Sequence, residues 1–155
     1  MVSLHEAAAD SPEARDLLTE YFALRAASFP GGGYATRFPD AAAFVPPAGV
    51  FLVLRDDTND PAGCGGIRRL DATRFEVKHL YVRESGRGRG WGRMLLAALE
   101  REARAAGATE LVLDTHHTLT AAATLYARSG FTEIEPYNDN PNATVWRGKA
   151  LTPAP

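Results

Sequence analysis

The chain has 155 residues and a single cysteine, Cys64, so it can form neither an internal disulfide framework nor a cysteine-rich zinc site. Net charge is nearly absent: 17 Lys and Arg stand against 19 Asp and Glu, a balance of −2. That leaves none of the basic field that general nucleic-acid binding needs. No apolar run approaches about 18 residues, and the N-terminus carries no signal-peptide pattern. A soluble cytoplasmic protein is expected, with neither nucleic acid nor membrane among its partners. Internal repeats and long linkers are lacking too, which predicts one domain over 1–155 with a loose tail at about 152–155. What remains is globular content, 45% apolar and 23% charged, sufficient for a real core.

Against this background one stretch stands out. Residues 75–83 read as a strand, 84–90 as a tight turn and 91–106 as a helix. Glycines recur at 86, 88, 90 and 92, with Arg87, Arg89 and Arg93 among them. Glycine admits positive φ and close ligand approach, and the N–H groups of a helix N-terminus attract anions. The pattern predicts a phosphate cradle. A dinucleotide fingerprint fails in every register, because Trp91, Arg93 and Leu95 occupy its third glycine slot. The mononucleotide P-loop fails as well, since no lysine follows a glycine in this stretch.

The rest of the chain supplies alternating elements. A short strand at 2–7 precedes a helix from the Asp10-Ser11 cap, with Pro12 near its start, to about Ala27. The Gly-rich segment 29–40 is a loop, either a flap over a site or a plain connector, and a helical turn is expected near 40–44. Val50–Leu54, Gly63–Leu70 and 75–83 form an antiparallel meander of strands. The helix 91–106 stops at Gly107. Leu111–Leu113 is a buried strand expected parallel to 75–83. A helix over Ala121–Ser129, capped by Thr120, and strands at Phe131–Glu135 and Ala143–Trp146 complete the order β-α-β-β-β-α-β-α-β-β, an α/β fold. Cys64 is expected simply to pack.

Arg87-Gly-Arg-Gly90-Trp-Gly92 fits Arg/Gln-x-x-Gly-x-Gly/Ala, and so resembles the pyrophosphate motif of the GCN5-related N-acetyltransferase (GNAT) superfamily. Leu80-Tyr-Val, Leu113-Asp-Thr and Leu125-Tyr-Ala-Arg-Ser-Gly-Phe131 extend the likeness over roughly 48–149, and the Pro-Tyr-Asn-Asp-Asn-Pro loop resembles that of uncharacterised bacterial members. The resemblance implies a mixed, mainly antiparallel sheet of six to seven strands with helices on both faces, splayed between the fourth and fifth strands. It implies acetyl-CoA as cosubstrate, held by Leu80, Tyr81 and Val82 and by the turn Arg87, Gly88, Arg89, Gly90, Trp91, Gly92 and Arg93, with no metal. The implied reaction is acetyl transfer to the amine of a small molecule by direct attack. Tyr126 is then the general acid and Glu76 the general base, with His79 and the pair His116-His117 as competing bases. His116 and His117 point opposite ways on an extended backbone, so at most one should reach a common site.

Acceptor contacts are expected from Tyr34, Arg37, Arg68, His79, Tyr137 and Asn138, if they face inward. The arginines suit a carboxylate, hence an amino-acid-like acceptor. Leu119 stands where the family often has Asn, with Thr118 or Thr120 as substitutes. Acetylation of a protein or peptide, a longer acyl chain, or a non-catalytic CoA-binding module are the other readings. The chain is expected to be a monomer or a homodimer.

Overall fold

A computed structural model describes residues 1–153, so Ala154 and Pro155, part of the tail expected to be loose, lie outside the described residues. The strands are β1 (Ser3–Glu6), β2 (Gly49–Arg55), β3 (Pro61–Arg69), β4 (Arg74–Val82), β5 (Glu110–Thr115), β6 (Thr132–Glu133) and β7 (Val145–Ala150). They form one sheet in the order β1-β2-β3-β4-β5-β7-β6. Only β4 and β5 run parallel; the other neighbours are antiparallel. The helices are α1 (Pro12–Ser28), α2 (Trp91–Ala105) and α3 (Thr120–Arg128). Ser11 caps α1, its Oγ accepting the Ala14 N–H at 3.3 Å. No helix among the described residues is long and apolar enough to cross a membrane.

Strand alternation sorts the apolar side chains into a core on each face of the sheet. Val50, Leu52 and Leu54 of β2 join Leu95 and Leu99 of α2 on one face. Phe51 and Val53 join Leu17, Leu18 and Phe22 of α1 on the other. A continuous apolar strand thus serves two cores, as a central strand covered on both faces should.

Two irregularities shape the site. The β4–β5 ladder holds only from Arg74↔Glu110 to Glu76↔Val112, although both strands run on, so the pair is splayed beyond that point. In β4, Lys78 pairs with Gly66 and Tyr81 with Cys64, three steps against two. The extra residue is a β-bulge, and His79 takes φ +61° there. Alternation is reset at the bulge, which brings Glu76, Lys78, His79 and Tyr81 to the α1 side.

Three boundaries differ from the sequence reading. Thr120 is the first residue of α3, and Leu119 is the cap position with no side-chain hydrogen bond. The strand expected at Phe131–Glu135 shrinks to two residues. The one expected at Ala143–Trp146 lies instead at Val145–Ala150, where a six-residue ladder with β5 fixes its length and overrides the polar, Gly-containing sequence.

Candidate active site

The Gly/Arg turn forms where β4 passes into α2. Gly86 must lack a side chain: a Cβ there would sit 2.3 Å from the Trp91 ring, which packs on the turn and pins the start of the helix. Gly88 and Gly90 both have φ +80°, and nothing lies within 4 Å of where a Cβ would project. Gly90 caps α2 without a side-chain partner. Met94 donates to the Gly90 carbonyl at 3.0 Å, so the ladder begins there and the first-turn N–H groups are left for another acceptor. No acid occupies that first turn, and Arg87, Arg89 and Arg93 are exposed around it. Open space, uncapped N–H groups, a helix dipole and three guanidinium groups fit a phosphate-bearing ligand.

From the turn, the free edge of β4 leads into the splay. The Arg83 N–H donates to the Ala62 carbonyl at 2.8 Å, so alternation turns the N–H and C=O of Val82 toward the gap. Arg87 Nε already reaches the Val82 carbonyl at 3.2 Å. Tyr81 behaves differently. Its backbone is paired toward β3, and its hydroxyl donates to Glu20 Oε1 at 3.1 Å on the α1 side.

A cavity of about 530 Å³ opens beside the splay. It is lined by five of the six expected acceptor residues, Tyr34, Arg37, Arg68, His79 and Asn138, together with Leu80, Leu119 and Tyr126. Tyr137 and Glu76 stand behind the wall. Glu76 has no exposure: Oε1 accepts from Arg68 Nε at 2.9 Å, Oε2 from the Tyr137 hydroxyl at 2.6 Å, and Lys78 Nζ lies 3.6 Å away. Burial and the Glu76 carboxylate push the Tyr137 phenol far up, so it stays a donor.

Asp114, at the end of β5, lines the cavity with Asp40 and Asp139, and the sequence reading did not select it. Its Oδ2 accepts from Asn138 Nδ2 at 2.7 Å and Asn140 Nδ2 at 3.1 Å, and its Oδ1 faces Lys78 Nζ at 3.4 Å. Burial pushes its pKa up, but Lys78 and the two amides outweigh that and leave it lowered. The Asn138, Asn140 and Asn142 amides form a chain: Asn138 Oδ1 accepts the Asn140 N–H and Asn140 Oδ1 accepts the Asn142 N–H. Asn142 ends it with two bonds to the Ala35 backbone, at 3.0 and 2.8 Å. Asn spacing of two was visible in the sequence, but only as turn chemistry.

The titratable groups divide by environment. Burial, helped by Lys78 and Arg68, pushes His79 down to about 3, so it lines the cavity as a neutral imidazole. Burial first, then Asp114, pushes Tyr126 up to about 12, and its hydroxyl has no hydrogen-bond partner among the described residues. His116 and His117 do not point opposite ways. Past β5 the backbone turns, and their rings stack at 4.5 Å. Each is bound to a threonine, His116 to Thr118 at 2.7 Å and His117 to Thr144 at 2.9 Å, and neither lines the cavity. Thr118 is thereby occupied, and Leu119 presents an apolar side chain to the cavity.

An anion cradle at the end of a splayed parallel pair, opening into a cavity with a partnerless buried phenol, is the arrangement of an acyltransferase that takes a phosphate-bearing donor. The sequence profile of the acetyltransferase (GNAT) family matches residues 12–131, and the chain belongs to that family. An uncharacterised N-acetyltransferase of Schizosaccharomyces pombe is 37% identical over 101 residues, 64% of this chain and 62% of that protein. An IAA acetyltransferase of Azospirillum brasilense is 38% identical over 88 residues, 56% of this chain and 57% of that protein. The chain thus spans about six-tenths of the length of these curated relatives. Among solved structures, a Klebsiella pneumoniae protein proposed to be an acyl-CoA N-acyltransferase shares the fold with a TM-score of 0.81 and 27% identity over 98% of this chain and 99% of that one. A GNAT acetyltransferase of Elizabethkingia anophelis, solved with acetyl-CoA bound, has a TM-score of 0.67 and 17% identity over 97% and 98% of the two chains.

Proposed function

We propose that the chain acts as one acetyltransferase domain that moves an acetyl group from acetyl-CoA to the amine of a small molecule. The observation that carries this reading is the continuous path from the uncapped, side-chain-free start of α2, along the free edge of β4, to the Tyr126 hydroxyl in the cavity. The N–H groups around Gly88–Arg93 and the surrounding arginines would hold the pyrophosphate. The Leu80 and Val82 backbones would take the pantetheine arm. Acetyl-CoA supplies an activated thioester; everything else falls to the protein.

Two tasks remain for its side chains. One is to keep the attacking amine neutral and oriented. His79, a neutral imidazole packed among Tyr21, Phe22 and Phe44 with no hydrogen-bond partner for its ring nitrogens among the described residues, can accept an amine N–H. Glu76 would serve as general base through its cluster, since its partners Arg68 and Lys78 line the cavity and its own carboxylate does not. The second task is to stabilise sulfur as it departs. A phenol raised to about 12 remains protonated at every physiological pH and donates its O–H toward a thiolate whose pKa is about 8.5. The test is thiol release from acetyl-CoA across a panel of small amines, peptides and longer acyl-CoA donors. Acetylation of small amines is expected; preference for a peptide or a longer chain, or CoA binding without turnover, would replace this reading.

A further inference from the structure

The cavity holds four cations, and three of them are accounted for. Arg68 is paired with Glu76, Lys78 lies between Glu76 and Asp114, and Arg37 is exposed to solvent. Arg25, in the last turn of α1, is different. It is only 8% exposed, the one arginine or lysine among the described residues in the buried class, yet it lines the cavity. No carboxylate lies within ion-pair distance of it among the described residues. Its Nη2 donates to the Asn142 carbonyl at a long 3.4 Å, its guanidinium sits 5.0 Å from the Tyr34 ring centroid, and its remaining N–H donors have no protein acceptor. A buried charge without a counter-charge is costly, and proteins retain one where something else supplies the partner.

We propose that Arg25 is the acceptor-recognition residue, binding the carboxylate of a small amino acid whose amine is the group acetylated. This rests on the acetyltransferase reading and assigns the anion site to a residue other than the exposed Arg37 or the occupied Arg68. The Tyr34 ring and the Asn142 carbonyl contact the guanidinium, and its remaining N–H donors are free for the two parallel N–H···O bonds that suit a carboxylate. Arg25, Tyr34 and Tyr126 line the same cavity, so one small molecule can place its carboxylate at Arg25 and its amine near Tyr126. The ligand is a monoanion with an amine a few bonds away.

The test compares α-, β- and γ-amino acids with their matching carboxamides as acceptors, for the wild type and for Arg25→Met and Arg25→Lys. For the preferred acid, kcat/KM should exceed that of its carboxamide on the order of 10–100-fold, the scale of a charge-assisted pair. In Arg25→Met this ratio should collapse toward one while the KM for acetyl-CoA stays unchanged, and Arg25→Lys should keep part of it. Arg25→Met should also hold or raise Tm, since the variant removes an uncompensated buried charge. An acid-to-amide ratio near one across the wild-type panel, or a ratio intact in Arg25→Met, would overturn the proposal, and a lowered Tm with an intact ratio would mark Arg25 as structural. If no amine releases thiol, the acetyltransferase reading fails instead. The anchor is then read directly, as greater thermal stabilisation by N-acetylated amino acids than by their amides with coenzyme A present, and equal shifts would overturn it.

Discussion

Tyr126 owes its proposed role to burial. Its ring packs against Phe131 at 6.0 Å, its hydroxyl is unclaimed, and the same desolvation that raises its pKa keeps it a donor. Tyr126→Phe should leave acetyl-CoA affinity and Tm nearly unchanged and lower turnover on the order of 10–1000-fold, measured under conditions where chemistry limits the rate. Wild-type turnover would reduce Tyr126 to a packing residue. His79 gives a stability prediction with a definite sign. Its folded pKa, about 3, lies below the unfolded value of about 6.5, so the unfolded chain takes up a proton first as pH falls. Stability is therefore full above about pH 6.5 and is lost as pH drops toward about 3, by no more than about 1.4 kcal/mol per pH unit. A His79→Gln variant should show a shallower acid slope in Tm, and an identical slope would contradict the assignment. Tyr126 and Glu76 were singled out by the family resemblance; Tyr126 lines the cavity, whereas Glu76 is fully buried outside its lining. Arg25 and Asp114 were not singled out, because a charged residue in a helix or at a strand end reads as solvated until its neighbours are known.

Elements decide where those residues meet. The bulge at His79 and the short β4–β5 ladder open the gap; the splay was expected only from the family resemblance, and nothing local announced the bulge, because any non-Gly residue at positive φ is uncommon and strand length gives no pairing register. The Gly/Arg turn was legible because positive φ and an uncapped helix start demand glycine. The loop at 136–144 was legible only as a turn. Its partners lie more than a hundred residues away at Ala35, which no local pattern encodes. Asn142 is the clasp between that loop and the segment 29–40, deciding a question composition left open: the Gly-rich segment lines the cavity through Tyr34, Arg37 and Phe38. Asn142→Ala removes both Ala35 bonds and should cost about 1–3 kcal/mol, with faster amide exchange at Ala35 and a raised acceptor KM. Unaltered exchange there would show that the packing of Tyr34 and Phe38 on α1 holds the segment without this clasp.

At the scale of the whole molecule, the two-faced sheet divides the labour. In the proposed reading the turn at the start of α2 takes the donor, and the cavity, lined by residues of both cores beside the splay, takes the acceptor. Saturating acetyl-CoA should stabilise the entire domain, by about 2.7 kcal/mol at a hundredfold excess over Kd, and so raise Tm by several degrees. The cradle is the feature on which acetyl-CoA binding depends in this reading. Gly90 is the residue to change, because its Cβ direction is open space where the pyrophosphate should lie. Gly90→Asn, which tolerates positive φ, serves as the control for backbone strain. Titration calorimetry of acetyl-CoA into wild type, Gly90→Asn and Gly90→Glu is the direct measurement. Saturable binding to wild type, weaker binding to Gly90→Asn and loss of most of the affinity in a folded Gly90→Glu are expected; equal affinity in all three would rule out the cradle.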